Sequence, residues 1–359
     1  MSTITRMRSI WTACLLGGVL LTIGCSRSNA GRKTATDDSR DPRALELARE
    51  VHDLGWIAFG ARTANGDWDL FLMRPDGSEL RNITNTPDYN EAAPRFSPDG
   101  HKLLYRRLKK GQNIDGNRYG MQGEPVIANS DGSNPQVIGA EGDYPWASWS
   151  PDGKQFACLA PKGISFVDVG THKVVRTLDR KGIFQQLSWS PDGKWLAGVA
   201  NVGEVWTIVR MNATTGEMNP VHTYQNCTPH WFPDSSRIVF SFRPPAEEKN
   251  PNNGLGWSYL YMADGDGKNA GLVYGEDGVH IYGNMISPDG RYVVFTRSVM
   301  EDGDPHNQGS PMAVMRLSDA PTIGGQSPAL RKMEPQDKHG VLLHLPKGWK
   351  PHWARPKFS

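Results

Sequence analysis

The sequence predicts an all-β fold, a six-bladed β-propeller whose blades each contain four short strands. A Ser-Pro-Asp-Gly tetrapeptide recurs along the chain, and each copy follows a large apolar residue and precedes a strand-like run. Neighbouring copies lie roughly 40 residues or more apart, and about 40 residues is the usual length of a propeller blade. A segment near the C-terminus repeats part of an internal blade, which predicts a ring closed on itself. The full copies begin at Ser97, Ser150, Ser190 and Ser287, and a degenerate copy begins at Phe232.

The tetrapeptide is predicted to form the tight turn between the first and second strands of a blade. In Ser97-Pro98-Asp99-Gly100, proline presets φ at the first corner, and aspartate can bond the nearby backbone. Glycine takes the left-handed conformation that closes the turn. The run that follows, Lys102–Arg107, has the apolar and aromatic content of a strand.

Two further strands complete each predicted blade. In the first blade the third strand is Asp69–Met73, a second tight turn follows at Pro75-Asp76-Gly77, and Leu80–Thr84 is a short fourth strand. Four short strands separated by tight turns, repeated along the chain, are typical of propellers.

The ends of the repeat predict how the ring closes. Residues 55–59 read as a second strand with no first strand before it, whereas residues 350–356 read as a first strand with nothing after it. Pro351-His352-Trp353 also repeats Pro229-His230-Trp231. We therefore expect the strand near 350–354 to pair with the strand at 55–60, which removes the exposed sheet edge. The innermost strands then end near residues 96, 149, 189, 231, 286 and 353, which gives six blades.

Composition excludes two broad classes for the body of this chain of 359 residues. Its 40 Lys and Arg nearly balance 38 Asp and Glu, whereas a nucleic-acid-binding protein usually has a basic excess. Twelve Trp, 10 Tyr and 11 Phe supply a core, so wholesale disorder is excluded. We expect no nucleic-acid partner.

Residues 1–24 are interpreted as a bacterial lipoprotein signal peptide. Arg6 and Arg8 precede an apolar run over residues 10–23, which has the length of a secretory signal. The segment Leu21-Thr22-Ile23-Gly24-Cys25 resembles a lipobox, with leucine one place from its usual position. We expect Cys25 to carry lipid and to anchor the chain to a membrane. An ordinary signal peptide with an incidental cysteine is the alternative.

Residues 25–52 are predicted to be a lipidated flexible tether followed by a short helix. The segment after Cys25 is polar, and Asp41-Pro42 has the pattern of a helix N-cap and first turn. An apolar stripe then predicts a helix over about 42–52, packed on the main domain. Ser26 after the cysteine suggests an outer-membrane destination by analogy with bacterial lipoproteins.

The remaining cysteines are predicted to be free thiols. Cys14 is lost with the signal peptide and Cys25 carries lipid, which leaves Cys158 and Cys227. The predicted blade order places these two residues two blades apart, so we expect separate buried thiols and no disulfide.

The blade pattern resembles the TolB-like propeller family. Residues 57–100 follow its order, IAF…DWDLFLMRPDGSELRNIT…PRFSPDG. The resemblance covers nearly the whole chain from about residue 55, and the propeller domain is predicted over residues 53–359. It implies a periplasm-facing protein of the bacterial cell envelope that binds another macromolecule, most simply a protein. Only a linker and one short helix precede the propeller, without the N-terminal α/β domain of the family's periplasmic member. The resemblance therefore does not imply a role in the Tol–Pal system.

Binding is expected where the repeat lets the chain vary. Both tight turns of every blade lie on one face, and the long connections at residues 106–125, 242–256 and 298–311 lie on the other. Aromatic rings in the segments leading into the blades suit a peptide or glycan at the channel mouth. Packing between blades is the alternative for each ring. The candidate binding residues are Asp88, Tyr89, Asp143, Tyr144, Trp146, His230, His280, Tyr282 and His352.

These observations favour a membrane-anchored, protein-binding scaffold without a cofactor. The alternative is a sugar lyase or another lytic or hydrolytic enzyme, because His230, His280 and His352 come from three blades and could ligate a metal. Their spacing does not establish such a site, so no metal ligand or catalytic residue is assigned. The peptidases that carry similar repeats need a Gly-x-Ser-x-Gly motif, which this sequence lacks.

Overall fold

The strands form six antiparallel sheets of four strands each, which confirms the predicted six-bladed propeller. In chain order, blades 2 to 6 follow one another, and blade 1 combines the first three strands with the last one. The computed structural model describes residues 41–116, 118–179, 182–243, 258–276, 279–299, 310–320 and 340–358.

Each blade is built from the axis outward, beginning with its innermost strand. Blade 1 has the order β24-β1-β2-β3, and blades 2 to 6 consist of β4–β7, β8–β11, β12–β15, β16–β19 and β20–β23. The strands are β1 (Trp56–Arg62), β2 (Trp68–Met73), β3 (Arg81–Asn82), β4 (Tyr89–Phe96), β5 (Lys102–Lys109), β6 (Glu124–Asn129), β7 (Gln136–Val137), β8 (Ser148–Trp149), β9 (Gln155–Ala160), β10 (Gly163–Asp168), β11 (Val174–Leu178), β12 (Ile183–Trp189), β13 (Trp195–Val202), β14 (Val205–Asn212), β15 (Met218–His222), β16 (Asn226–Trp231), β17 (Arg237–Phe242), β18 (Tyr259–Asp264), β19 (Gly271–Tyr274), β20 (Val279–Ile286), β21 (Tyr292–Val299), β22 (Pro311–Arg316), β23 (Leu343–Lys347) and β24 (Trp349–Ala354).

The Ser-Pro-Asp-Gly turns have the predicted geometry. Ser97 Oγ donates to Asp99 Oδ1 at 2.6 Å, and the Gly100 N–H donates to the Ser97 carbonyl at 2.9 Å. The three other full copies have the same Ser–Asp hydrogen bond at 2.6 or 2.7 Å. In the degenerate copy, Ser235 occupies the glycine position with a φ of 62°, a strained conformation for a residue with a Cβ. The turn is therefore kept where glycine is absent.

The last strand completes the first blade, as predicted. β24 pairs with β1 in an antiparallel register that places Ile57 opposite Trp353 and Ala58 opposite His352. Trp349 is fully buried and Trp353 is 3% exposed. Because β24 covers the edge of β1, the ring has no free inner strand there.

Apolar clusters between neighbouring blades hold the ring together. Six clusters of buried side chains each join two adjacent blades, and together they cover every blade-to-blade interface. One of them packs Phe59 of blade 1 against Val294 and Met312 of blade 6. The ring is thus stabilised by side-chain burial between sheets in addition to backbone pairing within them.

The predicted helix is present as α1 (Pro42–Val51). The Arg43 N–H donates to the Asp41 side chain at 2.9 Å, which caps the helix, and Leu47 and Val51 are buried against blades 1 and 6. Among the described residues, no helix has the length and apolarity needed to cross a bilayer. The predicted signal peptide, Cys25 and the tether up to residue 40 lie outside the described residues.

Cys158 and Cys227 are free and buried, which confirms the prediction for these thiols. Cys158 lies in β9 of blade 3 and Cys227 in β16 of blade 5. Burial also raises the pKa of the Cys158 thiol to about 12.

We expect iodoacetamide to leave Cys158 unmodified in the native protein at pH 8 and to alkylate it after unfolding. The protonated thiol is a poor nucleophile, and its burial excludes the reagent. Peptide mass spectrometry of both samples measures the difference, with Cys158→Ser as the control for peak assignment. A Cys158–Cys227 crosslink in the non-reduced digest would contradict the blade assignment.

Candidate functional site

A residue with a left-handed φ recurs at the same place in every blade, within the inner strand or, in blade 3, just before it. Its φ lies between 52° and 62°, and it precedes by three residues a large apolar residue near the end of the inner strand. Shifts in strand register accompany it in blades 1, 2, 4, 5 and 6. Bulges bend a strand and redirect its side chains. The six residues are Ala93, Trp146, Gln186, Thr228, Gly283 and Lys350.

A cavity of about 460 Å³ lies on the axis, lined by the inner strands of all six blades. At one end its lining includes Pro98, Pro191 and Pro233 of the tight turns and Arg355, all of which are exposed. The cavity therefore reaches solvent on the tight-turn face. The Tyr119 side chain marks its opposite end.

The loop residues 118–123 close that opposite end. The Tyr119 ring packs edge-on against Trp146 at 4.7 Å and against Trp349 at 4.9 Å, measured between ring centroids. A Cβ on Gly120 would lie 2.2 Å from the Trp146 ring, so only glycine fits this approach. The Trp146 backbone N–H also donates to the Gly120 carbonyl at 2.7 Å. This part of the predicted 106–125 insertion thus fills the axis on the long-loop side.

The cavity is positively charged. Its lining contains Arg95, Arg106, Lys350 and Arg355, and no aspartate or glutamate occurs among the described lining residues. The Arg106 guanidinium donates to the backbone carbonyls of Gln122, Gly123 and Asp143, which fixes it in the wall. Burial lowers the pKa of Arg106 to about 10, so its charge persists at neutral pH.

Lys350 is the most deeply buried cation of the cavity. It is 3% exposed, and its ammonium lies 4.6 Å above the Tyr119 ring and 4.7 Å above the Tyr282 ring. Such cation–π contacts stabilise a charge that lacks a counter-ion. No described residue accepts a hydrogen bond from this ammonium or forms an ion pair with it. Burial, together with the nearby charges of Arg95 and Arg243, lowers the pKa of Lys350 to about 7.

Two neutral histidines lie beside Arg95. The ring centroids of His230 and His352 are 6.4 Å apart, and the Phe96 N–H donates to His352 Nδ1 at 3.4 Å. Burial, and then the charge of Arg95, lowers the pKa of His230 to about 3 and that of His352 well below its usual range. Both imidazoles are therefore neutral at physiological pH. Arg95 also donates to the Pro94 carbonyl at 2.8 Å.

Of the nine candidate binding residues, the structure brings Trp146, His230 and His352 together in the cavity lining. Tyr282 adjoins them through the Lys350 ammonium. His280 is fully buried, hydrogen-bonded to Ser258 at 2.9 Å and stacked on Tyr282.

The other four candidates lie at the start of β4 or in the segments before β4 and β8, and none of them lines the cavity. Asp88 is exposed, and the Arg107 guanidinium covers the Tyr89 ring at 4.2 Å. Asp143 accepts the Ala140 N–H at 2.8 Å, and the Tyr144 hydroxyl donates to the His172 carbonyl at 2.8 Å. Binding on this long-loop face stays a prediction. Most of residues 242–256 and 298–311 lies outside the described residues.

The three histidines of the lyase alternative do not form a metal centre. Across the described parts of the chain, no group of three or more His, Cys, Asp or Glu side chains is placed to hold a metal ion. His230 and His352 face each other, whereas His280 bonds Ser258.

Sequence reasoning missed the residues that give the cavity its charge. Arg95 and Lys350 were not candidates, nor was Tyr119. Lys350 did carry a signal, because it stands before Pro351-His352-Trp353 where the matching blade has the uncharged Thr228 before Pro229. A lysine where another blade has an uncharged residue departs from the repeat, and such a departure on an inner strand could have predicted a functional residue at the channel.

Comparison with known proteins agrees with this fold. No family model matches the chain. A TolB homolog of Chlorobium luteolum is 31% identical over 118 residues, which cover 31% of this chain and 27% of that protein. The aligned segment therefore spans about a quarter of that relative's length.

Two solved structures share the architecture. TolB from Acinetobacter baumannii superposes with a TM-score of 0.60 at 18% identity, covering 84% of this chain and 67% of that one. A TolB candidate from Agrobacterium tumefaciens gives 0.53 at 18% identity, covering 82% and 90%. The six closed blades give this chain the propeller fold of the two TolB structures, and one segment of 118 residues is similar in sequence to a TolB homolog.

Proposed function

We propose that this TolB-like propeller is a protein-binding scaffold of the bacterial cell envelope, facing the periplasm. The observation that carries the proposal is the axial cavity, which reaches solvent and is lined by side chains from all six blades. A rigid ring that presents one pocket at its axis is suited to hold an inserted segment of a partner protein.

The likeness to TolB proteins supports the envelope location, and the N-terminal sequence supports the anchor. We propose that Cys25 is lipidated, that residues 1–24 are removed, and that residues 26–40 tether the propeller to the outer membrane. Acyl chains contribute about 0.8 kcal/mol per buried CH₂, so more than one chain holds a protein at a membrane persistently.

We expect Cys25→Ala to abolish membrane association while the propeller still folds. Without the thiol no lipid can be attached, and the chain is left unprocessed or released. Fractionation of cells and N-terminal mass analysis of both forms measure this, with Cys158→Ser as a control that keeps the lipidation site. An alanine variant with the parent's N-terminus and membrane fraction would show an ordinary secreted protein instead.

Protein binding is tested by affinity capture from envelope extract with the full chain as bait. Arg355 lies exposed at the solvent end of the cavity, so Arg355→Glu should abolish capture of a partner that uses the channel. Lys173→Glu is the matched control, because Lys173 is exposed and does not line the cavity. Asp88→Lys tests the long-loop face. A bait that captures nothing specific, or equal capture by all variants, would contradict the proposal.

A further inference from the structure

We propose that the axial cavity is a binding site for an organic carboxylate, held by Arg95 and Lys350. This proposal rests on the proposed function, because it names the chemistry that a ligand or partner segment presents to the same channel.

The charge of the cavity is the first observation. Cationic side chains line it and no described lining residue carries an opposing carboxylate. A cleft with charges of one sign and low-dielectric walls focuses its field and concentrates counter-ions. The missing counter-charge at the axis therefore predicts an anionic ligand.

The environment of Lys350 is the second observation. A buried ammonium is normally hydrogen-bonded to a carboxylate, a carbonyl or a water, and leaving it unpaired is costly. Here the ammonium lies over the aromatic faces of Tyr119, Tyr282 and Trp349. A carboxylate oxygen in the cavity would accept a hydrogen bond from the Lys350 ammonium, which no described residue does.

The proximity of a second cation is the third observation. The positive charge of Arg95 acts on Lys350, His230 and His352 in the same direction, disfavouring their protonated forms. Like charges held together in a buried site repel, and an anion between them relieves that repulsion. An arginine also offers the planar fork that pairs with a carboxylate.

The apolar part of the lining selects an organic anion over an inorganic one. The indoles of Trp149 and Trp189 and the side chains of Leu187 and Met285 share the cavity with the cations. A small inorganic anion would leave this surface uncovered, whereas a carboxylate on a hydrocarbon body covers it. Both a free aromatic acid and an acidic, aromatic peptide segment meet this description.

The test is isothermal titration of the full-length protein with benzoate, and with benzamide as its neutral counterpart. We expect saturable binding of benzoate and none of benzamide. Lys350→Met and Arg95→Met should each weaken benzoate binding at least about tenfold, the scale of one charge-assisted contact. Lys173→Met, at an exposed position away from the cavity, should change the affinity less than about twofold.

Folding of the variants is checked by thermal unfolding, and Lys350→Arg and Arg95→Lys are measured as charge-preserving variants. They should retain binding within a few fold. If a methionine variant fails to fold, the difference in affinity between benzoate and benzamide for the unmodified protein still tests the proposal. Absence of saturable benzoate binding, equal binding of benzamide, or unchanged affinity in the methionine variants would overturn the proposal.

The pH dependence adds a readout that a purely structural lysine would not produce. Tyr119, Tyr282, Arg95, Arg243 and Cys227 surround the Lys350 amine, and His230 and His352 stay neutral. With its pKa near 7, Lys350 is protonated at pH 6 and mostly neutral at pH 8.5. Benzoate affinity should therefore fall about tenfold between these pH values and should not change with pH in Lys350→Met.

A second arm separates the two sources of the carboxylate. A capped Glu-Phe-Glu peptide and its Gln-Phe-Gln counterpart are titrated in the same way. Tighter binding of the acidic peptide than of benzoate assigns the site to a protein partner, and the reverse order assigns it to a small acid. Benzoate binding in a protein that captures no partner would uphold the carboxylate site and contradict the scaffold function. Capture of a partner that depends on Arg355, without any carboxylate binding, would uphold the scaffold function and contradict the carboxylate site.

Discussion

Deletion of residues 348–359 is expected to yield a protein that does not fold and that aggregates. The deletion removes β24, the innermost strand of blade 1, and leaves the backbone groups on the inner edge of β1 without partners. It also removes Trp349 and Trp353, whose side chains fill the axis and the interface between blades 6 and 1. An exposed, apolar strand edge pairs readily with other chains. Size-exclusion chromatography and circular dichroism of the expressed protein measure the outcome.

A graded form of the same test uses Trp353→Ala. Trp353 is 3% exposed, and its indole N–H donates to the Leu54 carbonyl at 2.9 Å. Loss of a buried tryptophan costs about 3–5 kcal/mol, which corresponds to a fall of about 10 °C in the unfolding midpoint. Val175→Ala on the outer strand β11, where Val175 is 54% exposed, should change the midpoint by about 1 °C or less. A truncated protein as stable as the parent would show that the ring does not depend on β24.

The architecture was predictable because each blade repeats one local rule. The turn beginning at Ser97 needs only four residues to specify its geometry, and the strand after it needs only apolar alternation. The closure followed from the match between residues 351–353 and 229–231. Local signals of this kind do not depend on the rest of the chain, so they predict the number of blades and the strand that closes the ring.

The candidate site was less predictable because it depends on long-range geometry. The bulge at Lys350 alters which side chains of β24 face the axis, and β24 contains no glycine that would predict it. Only blade 6 has a glycine, Gly283, at the equivalent position. Tyr119 reaches the axis only because Gly120 permits the loop to approach Trp146. His280 illustrates the converse, since its strand position suggested the channel mouth and its imidazole instead bonds Ser258.

The interface between blades 1 and 2 buries two carboxyl groups that no sequence pattern distinguished. Glu91 on β4 is fully buried and Asp69 on β2 is 1% exposed. Thr84 and Thr86 donate hydrogen bonds to Glu91, and the Asp69 side chain is hydrogen-bonded to it. Burial, with a further contribution from the negative charge of Asp69, raises the pKa of Glu91 to about 8. Glu91 is thus protonated in the folded protein at neutral pH.

We expect Glu91→Gln to stabilise the protein at pH 8.5 and to leave its stability at pH 4 nearly unchanged. Between the ordinary pKa of 4.5 and the folded value of about 8, the folded state holds a proton that the unfolded state releases. Stability of the parent therefore falls as pH rises through this window, by at most about 5 kcal/mol, and is constant above it. The amide of glutamine stays neutral, so the variant escapes this loss.

The measurement is the difference in unfolding free energy between variant and parent, from urea titrations at pH 4, 6, 7 and 8.5. This difference isolates Glu91, because Lys350 and the histidines titrate in both proteins. Glu46→Gln is the matched control, since Glu46 is exposed on α1 and should give a difference near zero at every pH. The difference for Glu91→Gln should grow steadily from pH 4 to pH 8.5. A difference independent of pH would mean that the pKa of Glu91 is not raised in the folded state. Glu91 would then be ionised at neutral pH, and other groups would have to stabilise its contact with Asp69.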